Sequence, residues 1–327
     1  MMDTRDTLTP EEFFKELRLN PKQRYAFVLG HGINYYLRNN VTSWKELLDK
    51  FIKGNLEELS FISQEKDIAN TETANLIEFF ADEEIKSGKP AAKMRDKLMC
   101  YLDERLNNDG PDQCALLDAA WEKHHILTTN FDDNIEKYLT RSQKICLELR
   151  VLKPGTHDVS RSTCYLWNRY WGCENNAAIS QDSQDLHNDI WHIHGKLGDK
   201  LSRSVLFSLT RYVNAIKQVE LWDLASKANW PGRNTWVNIF YNSPLIVAGL
   251  GLTNQEVFLR TLLIERKRHL KKQGRTDIRD YYLVRKHSKS TKESDGREFL
   301  RALGFKVVEF DDTEDMYNNA NWRVNSK

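Results

Sequence analysis

Residues 125–138 read HILTTNFDDNIEKY, and the organisation of the chain turns on this stretch because its character changes in the middle. Ile126 and Leu127 close a short apolar run of the kind that forms a buried strand. Thr128, Thr129, Asn130 and Asp132 then set four polar side chains where the run stops, and from Asp133 to Tyr138 the apolar spacing becomes helical. A strand, a polar turn and a helix in that order make a ligand crevice at the carboxyl edge of a parallel sheet. The same residues have a plainer reading, in which Asp132 or Asp133 caps the helix.

Two further junctions repeat the pattern. Residues 24–29, RYAFVL, form a compact apolar strand that runs into Gly30-His31-Gly32-Ile33-Asn34. Residues 243–248, SPLIVA, are the most strand-like run in the chain and deliver Gly249-Leu250-Gly251-Leu252-Thr253-Asn254 ahead of a helix over 255–270. A Gly-x-Gly turn after a strand lets backbone approach a phosphate closely, although the third glycine of the dinucleotide fingerprint is missing here. Three such edges in alternating β and α order predict an α/β fold with a mainly parallel sheet.

Thr9-Pro10-Glu11-Glu12 opens a helix with an N-cap, an early proline and acidic first-turn residues. Residues 43–51, SWKELLDKF, are amphipathic, and from 56 to 107 the pattern stays helical. We therefore expect one domain over 1–327 with a helical insertion, residues 52–110, between the first two strands. A helix over 112–123 returns to the sheet. Residues 144–153 look like a β segment, and 154–188 read as a long irregular connection. Further strands are expected at 204–209, 281–285 and 306–310, with helices at 210–227 and near 297–303. The stretch after Asp311 carries no clear signal.

In DIWHIHG, residues 189–195, alternation puts Ile190, His192 and His194 on one side and Trp191 and Ile193 on the other. A histidine at a strand end titrates near neutrality and suits a general base, or it is a hydrogen-bonded core residue. The pattern does not choose between His192 and His194.

Composition narrows the function classes. With 48 basic and 47 acidic residues the formal charge is +1, so no whole-molecule field argues for nucleic acid, and no direct nucleic-acid site stands out. The basic half of the helix near residues 265–275 has a solvated face as its default explanation. No apolar run approaches membrane-spanning length and residues 1–20 lack a signal-peptide core, so a cytoplasmic location away from membranes is expected. Cys100, Cys114, Cys146, Cys164 and Cys173 include no C-x-x-C pair, so no metal is expected.

The ordered set GHGIN (30–34), TTNFD (128–132), HIHG (192–195) and GLGLTN (249–254) resembles the sirtuin-like family across residues 24–259, and the helix carrying Trp44 matches its prokaryotic branch. The resemblance implies a Rossmann-like, doubly wound sheet that binds nicotinamide adenine dinucleotide (NAD). Asn130 and Asp132 match the family's nicotinamide and ribose contacts, and His194, directly before Gly195, matches its catalytic histidine. Two departures stand out. The paired Cys-x-x-Cys zinc motifs of deacylating sirtuins are absent, and the first turn reads GHGIN where the family has a small residue and a serine.

The zinc-free core and the helical insertion resemble NAD-hydrolysing effectors of bacterial antiphage defence, which act by abortive infection with a partner subunit or as homo-oligomers. On that resemblance NAD is substrate: Asn130 orients nicotinamide, ribose or water, Asp132 holds the carboxamide end, and His194 accepts a proton. Gly30, His31, Gly32, Asn34, Thr128, Thr129, Gly249, Gly251, Thr253 and Asn254 line the dinucleotide. Two other readings stand beside hydrolysis: a non-catalytic sensor of NAD or an ADP-ribose derivative that signals to a partner, and a zinc-free deacylase.

Overall fold

The fold is a computed structural model that describes residues 7–38, 44–55, 90–106, 113–143, 147–151, 169–173, 189–197, 213, 216, 235–252, 256–286 and 291–324. Among the described residues nine strands form one sheet: β1 (Thr7–Leu8), β2 (Ala26–Leu29), β3 (His125–Thr128), β4 (Leu147–Val151), β5 (Arg169–Cys173), β6 (Asp189–His192), β7 (Leu245–Ala248), β8 (Tyr281–Arg285) and β9 (Lys306–Phe310). Their order is β1-β9-β8-β7-β2-β3-β6-β5-β4. The seven strands from β1 to β6 in that order are parallel, and β5 and β4 continue antiparallel at one edge.

From β2 the chain winds to one side through β3 and β6, then returns to the other side for β7, β8 and β9. This is a Rossmann-like fold, and its topological switch point lies between β2 and β7, where such sheets open a crevice at their carboxyl ends. The central strands are apolar on both faces because helices cover both. One face packs Phe27, Leu29, Ile126, Ile246 and Leu283 against α1 (Pro10–Leu19), α2 (Gly32–Arg38), α5 (Ala115–Lys123) and α6 (Asn134–Gln143). The other packs Val28, Leu127, Trp191 and Val247 against α7 (Trp236–Asn242), α8 (Val257–Lys272) and α9 (Thr291–Ala302). At the opposite end from the crevice, buried Arg266 bridges Asp280 at 2.7 Å and donates to the Phe240 and Ser243 carbonyls, tying α8 to the entries of β7 and β8.

Between β2 and β3 lie α3 (Trp44–Gly54) and α4 (Pro90–Leu106). Leu47, Leu48, Phe51, Leu98 and Leu102 form a small core of their own that takes in Leu197 and Phe131, so these helices rest on the site. α1 begins with the expected cap: Glu12 N donates to Thr9 Oγ1 at 3.3 Å and Thr9 N to Glu12 Oε2 at 2.9 Å.

Two expectations change. Residues 169–173, inside the stretch read as an irregular connection, form β5, which pairs with β4 and β6. The stretch after Asp311 folds into α10 (Thr313–Asn318) and α11 (Ala320–Val324), whose Tyr317 and Trp322 are buried. Trp322 meets Phe13, Phe14 and Phe27 edge-on and donates its indole N–H to the Met316 carbonyl at 3.0 Å. The expected strand at 204–209, the helix at 210–227 apart from Val213 and Ile216, and the side chain of Trp44 lie outside the described residues. Among the described residues no helix is long and apolar enough to cross a membrane.

Candidate active site

The site forms where the turns after β2, β3, β6 and β7 meet, on adjacent strands of the sheet. The turn after β3 is stitched to the end of β2. Thr128 donates its hydroxyl to the Leu29 carbonyl at 3.1 Å and accepts the Asn130 amide at 3.1 Å, while Thr129 N donates to the same Leu29 carbonyl at 3.0 Å. Asn130 is buried, and its Nδ2 donates to the Gly30 carbonyl at 3.3 Å. A carbonyl only accepts, so the side-chain nitrogen faces it and the amide oxygen points away; that oxygen takes no hydrogen bond among the described residues.

Asp132 is also buried and anchors a network. Its Oδ2 accepts from Asn34 Nδ2 at 2.6 Å and its Oδ1 from the Asn134 backbone at 3.1 Å. Asn134 Nδ2 in turn reaches Asn34 Oδ1 at 3.3 Å and the Leu106 carbonyl at 2.9 Å. Asp132 therefore caps the first turn of α6 and joins the turns after β2 and β3 at once. Burial pushes its carboxyl up to about 6; the bonds from the Asn134 backbone and Asn34 oppose the shift, and the nearby Glu136 charge adds to it. His31 Nδ1 lies 3.4 Å from Asn34 Nδ2, at the edge of the network.

The glycine turns touch each other. Gly30 N donates to the Ala248 carbonyl at 2.9 Å and Gly32 N to the Gly249 carbonyl at 2.8 Å, while Ile33 N and Asn34 N bond back to Gly30 and His31. A Cβ on Gly32 would sit 2.5 Å from Gly249 Cα, and one on Gly30 would sit 2.5 Å from the Gly249 carbonyl oxygen. Gly249 itself has φ +69°, which a side chain rarely adopts. These glycines first of all let two turns approach at the switch point, and much of the amide complement expected to face phosphate is engaged within the fold. Leu252 also holds a left-handed φ, +46°, while fully buried, with its carbonyl held by Arg260 at 2.8 Å. Such strain in a non-glycine residue clusters at functional loops. Gly251 lies where α9 comes close, its carbonyl oxygen in the space that a Cβ on Gly296 would need. Thr253 and Asn254 lie outside the described residues.

The two histidines differ sharply. β6 ends at His192, whose Nδ1 lies 2.8 Å from the Asn130 carbonyl and whose Nε2 lies 2.5 Å from Glu136 Oε1. With both ring nitrogens engaged by the protein, His192 has no position left for a substrate proton. The chain then turns at Gly195, φ +83°, where Gly195 N bonds the His192 carbonyl at 3.1 Å. This turn carries His194 out of the strand, against the rings of Phe131 at 6.2 Å and Phe258 at 5.5 Å. Burial pushes the His194 imidazole down to about 3, so it is neutral at physiological pH.

Sequence reasoning missed Glu136 and Asn134, both buried on α6. The available signal was proximity: Glu136 stands four residues after Asp132, in the first turn of the helix that Asp132 caps. Among the described residues no group of three or more His, Cys, Asp or Glu side chains is arranged to hold a metal ion.

The family description of a SIR2-like domain matches residues 124–308 of the 327, more than half of the chain. The chain belongs to the SIR2-like family. The matched span carries the turns after β3, β6 and β7; the SIR2-like site gains Gly30 to Asn34 from outside it because β2 lies between β3 and β7 in the sheet. A search of curated proteins found no match. SIR2-like domains use NAD, which sets an NAD-related function as the coarse reading of this chain.

Proposed function

We propose that this SIR2-like chain is an NAD glycohydrolase that releases nicotinamide and ADP-ribose, and that it serves as the NAD-depleting effector of a bacterial antiphage system. The N-glycosidic bond to nicotinamide breaks, nicotinamide leaves with the bonding electron pair, and water adds to the ribosyl carbon. The proton lost from that water passes to His194 and then to solvent. Asn130, through its outward amide oxygen, orients the water or a ribose hydroxyl as positive charge builds on the sugar. Asp132 holds the turn carrying Asn130 against Asn34, and in this reading its carboxylate holds the carboxamide end of the substrate. Burial pushes the His194 imidazole down to about 3, so it meets the substrate neutral, in the form that can accept a proton.

The observation that carries this reading is the division between the histidines. His192 is occupied at both nitrogens, whereas His194 is neutral and packs against Phe131, the neighbour of Asn130 at the switch-point crevice. The zinc-free motif set supports hydrolysis over deacylation, and the resemblance to defence effectors supports control by a partner subunit or by self-assembly. The test is to incubate purified protein with NAD, with and without an acetylated peptide, and quantify nicotinamide and ADP-ribose. Equimolar products without peptide support the reading. Release that requires peptide would mean a deacylase, and saturable binding without release would mean a sensor.

A further inference from the structure

The His192–Glu136 pair stands directly behind the Asn130 turn, with side chains only 6% and 7% exposed. Its geometry fixes where hydrogens must lie. The Asn130 carbonyl can only accept, so His192 Nδ1 carries a hydrogen. At 2.5 Å a bare Nε2 lone pair facing a carboxylate would repel it, so a second proton lies between Nε2 and Glu136 Oε1. The pair therefore holds one proton more than a neutral imidazole beside a carboxylate.

We propose that His192 and Glu136 are positioning residues for NAD hydrolysis, clamping the Asn130 carbonyl so that the amide oxygen of Asn130 is aimed into the crevice. This rests on the hydrolase reading and deepens it. Asn130 is gripped on three sides: its N–H by Thr128, its carbonyl by His192 and its side-chain nitrogen by the Gly30 carbonyl. The first two grips fix the backbone and the third fixes the amide rotamer, so one free group, the amide oxygen, is left with a set direction. Glu136 works at one remove, by holding the ring that holds the carbonyl.

The charges around the ring support the doubly protonated state. Burial drives the imidazole toward neutrality, but the charge and hydrogen bond of Glu136 outweigh it together with the bond to Asn130, and the net shift is upward. From the turn before α6 Asp132 faces the ring, and from α6 Glu136 does; from the turn after β6, Lys196 opposes them, itself 4.0 Å from Asp133. His194, already beyond the strand, is neutral.

The clamp has a signature that a purely structural pair lacks. When the shared proton is lost at alkaline pH, the Nε2 lone pair faces a carboxylate and the clamp opens, so kcat for nicotinamide release falls on an alkaline limb. In Glu136→Gln the side-chain amide donates to a neutral Nε2, the geometry is kept and the limb disappears. His192→Ala is expected to lose about tenfold or more in kcat with KM for NAD within about twofold, since misplacing a reacting group by about an ångström costs on the order of a hundredfold.

The experiment measures kcat and KM against pH for the full-length protein and both variants, with melting temperatures, and reads the His192 ring nitrogens by 15N NMR at pH 7.5. The expected result is two protonated ring nitrogens in the wild type, a lone-pair-bearing Nε2 in Glu136→Gln, and loss of the alkaline limb in that variant. Should His192→Ala fail to fold, the Glu136→Gln profile decides. Native kcat in folded His192→Ala, or an alkaline limb unchanged in Glu136→Gln, overturns the clamp while leaving hydrolysis standing. A wild type that releases no nicotinamide removes the hydrolase reading and the positioning role together.

Discussion

Asn130→Ala separates a structural from a chemical role for the residue at the centre of the site. The substitution deletes one hydrogen bond, Nδ2 to the Gly30 carbonyl at 3.3 Å, and keeps both backbone contacts, to Thr128 and His192. The Gly30 carbonyl is not left unsatisfied, because Ile33 N donates to it at 3.1 Å. The loss should therefore fall at the ordinary value for one intramolecular hydrogen bond, about 1 kcal/mol, without the added penalty of an orphaned acceptor. For a chain of this size that lowers the melting temperature by roughly 1–2 °C. Removing an oriented group from a developing charge instead costs about a hundredfold to a thousandfold in kcat. Melting temperature and nicotinamide release measured on one preparation decide the matter. A variant that melts a degree or two lower yet turns over at nearly the native rate would refute the role given to Asn130.

Gly32→Ala should destabilise by about 1–3 kcal/mol in denaturant melts, because its Cβ would meet Gly249 backbone at 2.5 Å and neither turn can yield cheaply. Gly54→Ala, which meets nothing within 4 Å, is the matched control and should be neutral or stabilising by about 0.4–1 kcal/mol. Asp132→Asn should shift the pH dependence of stability. The folded-state carboxyl lies near 6 against 3.8 for an unperturbed aspartate, so the folded state binds this proton more tightly and the wild type loses stability as pH rises from about 4 to 6. Measured as variant minus wild type, stability should move in favour of asparagine by on the order of 3 kcal/mol across that window. A difference that stays flat from pH 4 to 7 would contradict the burial assigned to Asp132.

The parts of the fold legible in the sequence are those whose local pattern matches their burial. β2, β3 and β7 run apolar because both sheet faces are covered, and each ends in a turn whose polar or glycine residues mark the crevice. β5 escaped because Arg169–Cys173 is short, contains Gly172 and pairs antiparallel near the sheet edge, so its partners and not its own pattern define it. The C-terminal helices escaped for a similar reason: Tyr317 and Trp322 find their partners in α1, α2 and β2, far away in sequence.

At the site, the residue types of the turns were readable, but their contacts were not. The glycines were read for their openness to a phosphate, while their closest neighbours are each other's backbones. In the sequence nothing local sets Glu136 apart from a charged residue on a surface helix. Its burial beside His192 is a consequence of β6 lying next to β3, which no local spacing records. Alternation alone put His192 and His194 on one side, and the turn at Gly195 is what separates their tasks.

The most direct test of the account compares wild-type protein with His194→Gln for nicotinamide release from NAD, with NAD affinity and melting temperature measured alongside. The wild type is expected to release nicotinamide and ADP-ribose in equal amounts, and His194→Gln to fold and bind NAD but turn over about a hundredfold or more slower, as when a positioned base is removed. A folded His194→Gln protein that releases nicotinamide at the native rate would contradict it.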